Sequence, residues 1–198
     1  ATLDGPVSTP TLQASVKVKN GGYGEFGPIS GDLKASLVGD VATADARLSF
    51  PGDASLKLHV SGRTDALTTR TQPVEATIVA DRFELASLVP LVPSLKGSSG
   101  RISNTKASLT GSLAAPVVTL SSTASALKAR GYGPFDLALT ADFRDDQLSF
   151  DSQIKGTDVL VATIKASTQI KAAALLAGEV PAWSTLGVQG TVSVAKAE

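Results

Sequence analysis

The chain of 198 residues carries 18 basic and 18 acidic side chains dispersed along its length, with no cysteine and no methionine. Balanced, unclustered charge excludes a polybasic membrane anchor and a nucleic-acid groove, which needs grouped Lys and Arg to displace counterions from phosphate. The missing cysteines exclude a disulfide framework, a thiolate zinc site and a cysteine nucleophile. No window of about 20 residues is apolar enough to span a bilayer; the best, Leu85 to Leu95, is short and holds Pro90 and Pro93. With no methionine even at position 1, the chain is expected to be a segment of a longer protein whose anchor lies elsewhere.

In chain order, Leu3-Asp-Gly5-Pro-Val7 to Pro10-Thr-Leu12 opens a strand in which Leu12, Ala14, Val16 and Val18 alternate with Gln13, Ser15, Lys17 and Lys19. A period of two places alternate residues on opposite faces of a sheet, so this strand has one wet face. Asn20-Gly21-Gly22 and the Gly22-Tyr23-Gly24 turn follow, then alternating strands at Leu33-Ala35-Leu37, Ala46-Leu48-Phe50, Leu56-Leu58-Val60 and Val74-Ala76-Ile78-Ala80, with Pro51-Gly52-Asp53 as a further turn. Asp81, with Glu84 three residues on and Leu85, Leu88 and Val89 behind it, has the form of a capped short helix near 82–89 that Pro90 ends. Strands resume at Ala107-Leu109-Gly111-Leu113, Phe135-Leu137-Leu139-Ala141-Phe143, Leu148-Phe150-Ser152-Ile154, Leu160 to Ile170 and Val188-Gly190-Val192-Val194. Lys171 to Ala177 reads as a second short helix, with Pro181 and Trp183 in the loop after it. About a dozen strands joined by Gly, Asp, Asn and Pro turns predict an all-β protein, a long antiparallel meander with one or two short helices.

The motif L-x-G-x-[VL]-x-x-P-x-[LV] occurs at Leu3–Leu12 and again at Leu109–Val118. Gly-Tyr-Gly (22–24, 131–133), Asp-Leu (32–33, 136–137) and Leu-Ser-Phe (48–50, 148–150) follow it in both copies, at offsets that drift from 106 to 109, 104 and 100. This predicts two β-repeats, 1–108 and 109–198, forming one continuous groove. Each strand offers one apolar stripe, and a flat sheet would leave that face in water; burial needs two packed sheets or one sheet curled into a U. A dozen strands at about 4.8 Å give a trough about 55 to 60 Å long. Its expected lining is Leu12, Val16, Leu33, Leu37, Leu48, Phe50, Leu58, Val60, Ile78, Leu113, Val118, Leu120, Phe135, Leu137, Leu139, Phe143, Leu148, Phe150, Ile154, Leu160, Ile164 and Val192.

Residues that could carry chemistry do not assemble into a site. His59, the only histidine, shares the outward face of its strand with Lys57, and no G-x-S-x-G elbow precedes a helix. Gly22-Tyr-Gly24-Glu-Phe-Gly27 matches G-x-G-x-x-G, but Pro28 and a strand follow where a nucleotide fold needs a helix N-terminus. Asp142, Asp145 and Asp146 lack the spacing of a calcium loop and read as a solvated hairpin tip. Tyr23 and Tyr132 are expected to cap equivalent turns. No catalytic residue, metal site or cofactor is expected, and the chain does not read as an enzyme.

The paired L-x-G-x-[VL]-x-x-P-x-[LV] units, the strand Pro73-Val-Glu-Ala-Thr-Ile-Val-Ala80 leading into Asp81-Arg-Phe-Glu-Leu-Ala-Ser-Leu88, the Pro93-Ser-Leu-Lys-Gly97 turn and the Gly100–Pro116 stretch resemble the TamB and AsmA-like proteins over nearly the whole chain. The resemblance implies a long β-sheet folded into a taco-like groove with an apolar interior. It also implies a periplasmic segment of a protein anchored in the inner membrane of a bacterium with two membranes. By the same likeness the function would be a lipid conduit shielding phospholipid acyl chains on the way to the outer membrane, with an Omp85-type barrel as a possible partner through regions outside this sequence. A scaffold for outer-membrane protein assembly, offering a free sheet edge to a client strand, and a structural or adhesive β-repeat with a closed core are the alternatives. A transmembrane barrel needs aromatic girdles, and only 5% of this chain is aromatic.

Overall fold

The computed structural model describes residues 2–4, 11–23, 26–129, 131–156, 160–176 and 187–196. Its strands are β1 (Thr2–Asp4), β2 (Thr11–Tyr23), β3 (Phe26–Val38), β4 (Val41–Ser49), β5 (Ser55–Arg63), β6 (Val74–Asp81), β7 (Phe83–Glu84), β8 (Ser99–Ser112), β9 (Ala115–Ala129), β10 (Tyr132–Arg144), β11 (Gln147–Gly156), β12 (Leu160–Gln169) and β13 (Gln189–Lys196). All lie in one open antiparallel sheet whose order is the chain order, with the two-residue β7 pairing only β8. Short turns favour this meander: each strand can pair with its predecessor at the small entropic cost of closing a hairpin.

Register puts the apolar stripes on one face. Val16, Leu33, Ala46, Leu58, Ile78, Ala107, Leu120, Ala141, Phe150, Ala166 and Gly190 are successive cross-strand partners from β2 to β13. The neighbouring row on the other face runs Lys17, Asp32, Arg47, Lys57, Val79, Lys106, Ser121, Thr140, Asp151, Lys165 and Thr191. A one-residue slip in any strand would exchange the two faces, so the apolar pattern specifies the register throughout.

The repeat is stricter than the sequence suggests. Leu3↔Leu12 in β1–β2 and Leu109↔Val118 in β8–β9 are equivalent pairs at an offset of 106. The same offset relates Val16↔Leu33 to Ser122↔Leu139, Val41↔Arg63 to Gln147↔Gln169, and the bulge residue Asn20 (φ 53°) to Ala126 (φ 51°). It also relates helix α1 (Ala66–Thr69) to α2 (Ala172–Leu176). The drift in the motif matches is therefore a drift of residue types over a fixed frame: Tyr132 is the counterpart of Phe26, not of Tyr23, and Leu139 rather than Leu137 is the counterpart of Leu33. The boundary at 108/109 falls inside β8, and the sheet runs through it without a break.

The helices depart from expectation at two places: α1 (Ala66–Thr69) has no counterpart among the expected helices, and the helix expected near 82–89 does not form. The segment 82–89 forms β7 and a single 3-10 turn, Leu85–Leu88, instead of a capped α-helix. Both would-be capping side chains are engaged in the sheet: Asp81 Oδ1 accepts the Asn104 N–H at 3.1 Å, and Glu84 Oε1 accepts Arg101 Nε–H at 2.6 Å. α2 lies within the predicted 171–177, its first N–H, of Ala172, donating to Asp146 Oδ1 at 2.7 Å. Trp183 and Pro181 lie outside the described residues.

Hairpin ends form two rims, and at each the chain folds back over the apolar face. At one rim α2 brings Ile170 and Ala172 onto Phe143, the three buried to 6–7% exposure, with Val118 and Leu148 packed beside them. At the other, Phe83 meets Phe50 with ring centroids 5.2 Å apart, in the range of a favourable tilted aromatic pair. Between the rims, no second layer formed by the described residues covers the floor. No large side chain is fully buried among the described residues, and the accessible surface is 13057 Å², against about 8,700 Å² expected for a compact chain of this mass.

Candidate functional site, an open apolar face

Of the expected lining residues, all that stand within strands fall on this face by register; Phe50 continues it past the end of β4, and Leu113 sits in the β8–β9 turn at the rim. Leu160 pairs with Lys196 through its backbone, and its side chain lies outside the described ones. Exposure separates the residues into three groups. Phe143 is buried. Leu37, Leu48, Phe50, Leu58, Val60, Leu113, Val118, Leu120, Leu137, Leu139, Leu148, Phe150, Ile154 and Ile164 are half-buried, covered by strand neighbours but not from above. Leu12, Val16, Leu33, Ile78, Phe135 and Val192 are exposed, Val16 to 52%. Twelve strands about 4.8 Å apart, each about nine residues long, make a floor on the order of 1,000 Å². A monomer's largest apolar patch is usually about 300 to 600 Å² and often functional.

The face is not wholly hydrocarbon. Thr105 and Ser122 meet on it and satisfy one another at 2.7 Å, while the buried Ser152 stands between Leu139 and Ile164. The Thr168 hydroxyl is buried without a partner. Ser122, on the apolar face of β9, breaks that strand's apolar alternation beyond Leu120.

The hollows of the sheet lie on both faces. One of about 330 Å³, walled by Leu12, Leu37, Val60 and the alanines between them, is on the apolar face of β2–β5. A larger one, about 1110 Å³, lies over the polar face of β6 and β8–β13, lined by hydroxyls together with Glu75, Lys106, Asp142, Asp151 and Lys165. A twisted sheet is a saddle, concave along a different diagonal on each face, so the expected apolar trough has a polar counterpart that the residue pattern did not reveal.

On the polar face ion pairs join neighbouring strands, and one lies within β10. His59 Nδ1 lies 2.9 Å from Asp45 Oδ1, and Lys165 Nζ 3.2 Å from Asp151 Oδ2, all substantially exposed. Arg144 donates from Nε and Nη2 to the two oxygens of Asp142 at 2.7 and 3.0 Å. These hydrogen bonds hold the Asp142 carboxyl below its usual range, partial desolvation opposes them, and the guanidinium charge adds to them. Asp146 anchors α2 through its Oδ1, and no group of three or more metal-ligating side chains occurs among the described residues. Tyr132 is 74% exposed; the side chain of Tyr23 and residues 24–25 of the G-x-G-x-x-G stretch lie outside the description. No helix of the described residues is long and apolar enough to cross a membrane.

No protein-family model matches the chain, no curated protein matches it, and no solved structure matches it.

Proposed function

We propose that this chain is a segment of a periplasmic lipid conduit, in which the open apolar face receives phospholipid acyl chains and the rims leave the headgroups in water. The observation that carries the reading is the single apolar face, running from β2 to β13 and, among the described residues, uncovered between the rims. Its floor is built mainly of Leu, Val, Ile and Ala at a regular spacing, which suits mobile hydrocarbon along its length better than one shaped ligand. An acyl chain moving from a bilayer to such a floor stays among apolar atoms, avoiding about 0.8 kcal/mol for each methylene that would otherwise enter water. The process needs no catalyst. The likeness to the TamB and AsmA-like proteins supports placing the parent in the inner membrane of a diderm bacterium, with an Omp85-type barrel as a partner through regions beyond this sequence.

Native mass spectrometry of the purified chain, loaded with an extract of bacterial membrane phospholipids, tests the reading. The wild type is expected to retain lipid, Leu139→Asp to lose it, and Lys57→Asp, on the opposite face, to keep it. A wild type that retains none, or equal losses in both variants, overturns the proposal.

A further inference from the structure

The fold gathers on one side cations that the sequence disperses. Lys17, Asp32, Arg47 and Lys57 are successive cross-strand partners on the polar face of β2–β5. Lys34 stands on the same face one row away, and Lys19 follows Lys17 two residues along β2. All five cations are exposed, and none forms an ion pair among the described residues. The carboxylates interleaved with them are Asp32 and Asp45, and Asp45 is engaged by His59 at 2.9 Å. The even spread of charge along the sequence therefore does not carry over to the surface.

The frame does not require this charge. At the 106-residue offset Lys17, Lys19, Lys34, Arg47 and Lys57 correspond to Thr123, Ser125, Thr140, Gln153 and Thr163, all neutral, while the Asp45–His59 pair recurs as Asp151–Lys165. In the first unit Arg47 and Lys57 stand directly opposite one another, and like charges so placed destabilise a sheet. An external anion would relieve that repulsion.

We infer that this patch, about 14 Å across at about 4.8 Å per strand, holds the polar face of β2–β5 against an anionic phospholipid surface. Lys17, Arg47 and Lys57 lie outside the two hollows described above, so they meet a surface more readily than a shaped ligand. Four of the five cations are lysines, compact charges on flexible stems that meet phosphates without a fixed geometry. No aromatic residue stands among them to stack on a nucleic-acid base. A cluster of this size matches the polybasic patches that bind anionic bilayers, each cation contributing about fivefold to the partition. Contact through this face leaves the apolar face free for acyl chains.

Vesicle flotation tests the contact. The wild type is expected to float with vesicles of mixed phosphatidylcholine and phosphatidylglycerol at low salt, to be released at high salt, where screening shortens the reach of exposed charges, and to ignore pure phosphatidylcholine. The combined variant Lys17→Gln, Lys34→Gln, Arg47→Gln and Lys57→Gln should lose more than a hundredfold in partition, at about fivefold per cation. Lys96→Gln, Lys128→Gln, Lys155→Gln and Lys171→Gln combined, the same charge change away from the patch, should lose less than tenfold, and Leu139→Asp on the apolar face should float as the wild type does. Equal flotation with neutral vesicles, equal losses in the two combined variants, or a loss confined to Leu139→Asp overturns the inference. So does a chain that ignores the anionic vesicles and binds poly-glutamate, which would assign the patch to an acidic protein segment.

Discussion

The described residues of 2–69 and 108–175 share one register, yet among them the second unit alone closes a buried cluster at its rim. Where the second has Phe143, Ile170 and Ala172, the first has a half-buried Leu37, an exposed Thr64 and a buried Ala66. The aspartates at the hairpin tips diverge in the same way. Both carbonyls hold the returning chain, Asp40 accepting the Thr64 N–H at 2.8 Å and Asp146 that of Ile170 at 2.9 Å. The Asp40 carboxylate is taken by Arg63 at 2.7 Å, whereas the position equivalent to Arg63 is Gln169, which leaves the Asp146 carboxylate to accept the Ala172 N–H. The frame thus depends on hairpin lengths, bulges and period, and the side chains that fill each rim vary within it.

The largest effect should come from the cluster itself. Phe143→Ala is expected to cost about 3 kcal/mol, the low end for a buried aromatic because the site borders an open face. Leu37→Ala, its counterpart, should cost about half as much, both read from urea denaturation; equal costs would mean that the two rims are packed alike. Next, Asp146→Ala removes the N–H acceptor of α2 and should cost about 1 kcal/mol. Asp40→Ala, removing only an exposed ion pair, should cost no more than about 0.5 kcal/mol. Smaller still, Ala126→Asn places in the second bulge the residue that Asn20 supplies in the first. Since Asn tolerates a left-handed backbone better than Ala, a gain of roughly 0.5 kcal/mol is expected in the same assay; no gain would show that strain at φ 51° is absorbed elsewhere.

The smallest effect concerns Asp142, whose counterpart is the neutral Ser36. Its folded pKa is depressed, so its contribution to stability is present above the unfolded carboxylate value of about 3.9 and is lost as pH falls through the lower folded value. The wild type should therefore lose slightly more stability than Asp142→Asn as the pH is lowered below about 4, as followed by thermal melts. Parallel curves would show that the Arg144 fork does not persist in solution.

Much of this architecture is legible in the residues because period two is unbroken where Leu, Val and Ala alternate with Lys, Ser and Thr. It fails where the code is shared. β9 carries Ser122 on the apolar face and Ala124 beyond it, so its second half has no alternation to read. α1 has only Ala66-Leu-Thr-Thr69, too short for a helical stripe, and emerges only as the image of α2. Asp81 and Glu84 imitate a capping box, but their partners, Asn104 and Arg101, are about twenty residues away and invisible to local reading. The lining residues could be assigned to one face from sequence alone. That no described residues form a second layer over them depends on how the whole sheet curves, a property held by no single strand.

Photocrosslinking from matched positions on the two faces tests the central claim most directly. Benzoylphenylalanine at Leu139, or at its repeat counterpart Leu33, should capture phospholipid acyl chains when the chain is incubated with lipid vesicles. The same group at Thr140, which faces the larger polar hollow, should capture none. Crosslinks confined to Thr140, or none at Leu33 and Leu139, would contradict the account.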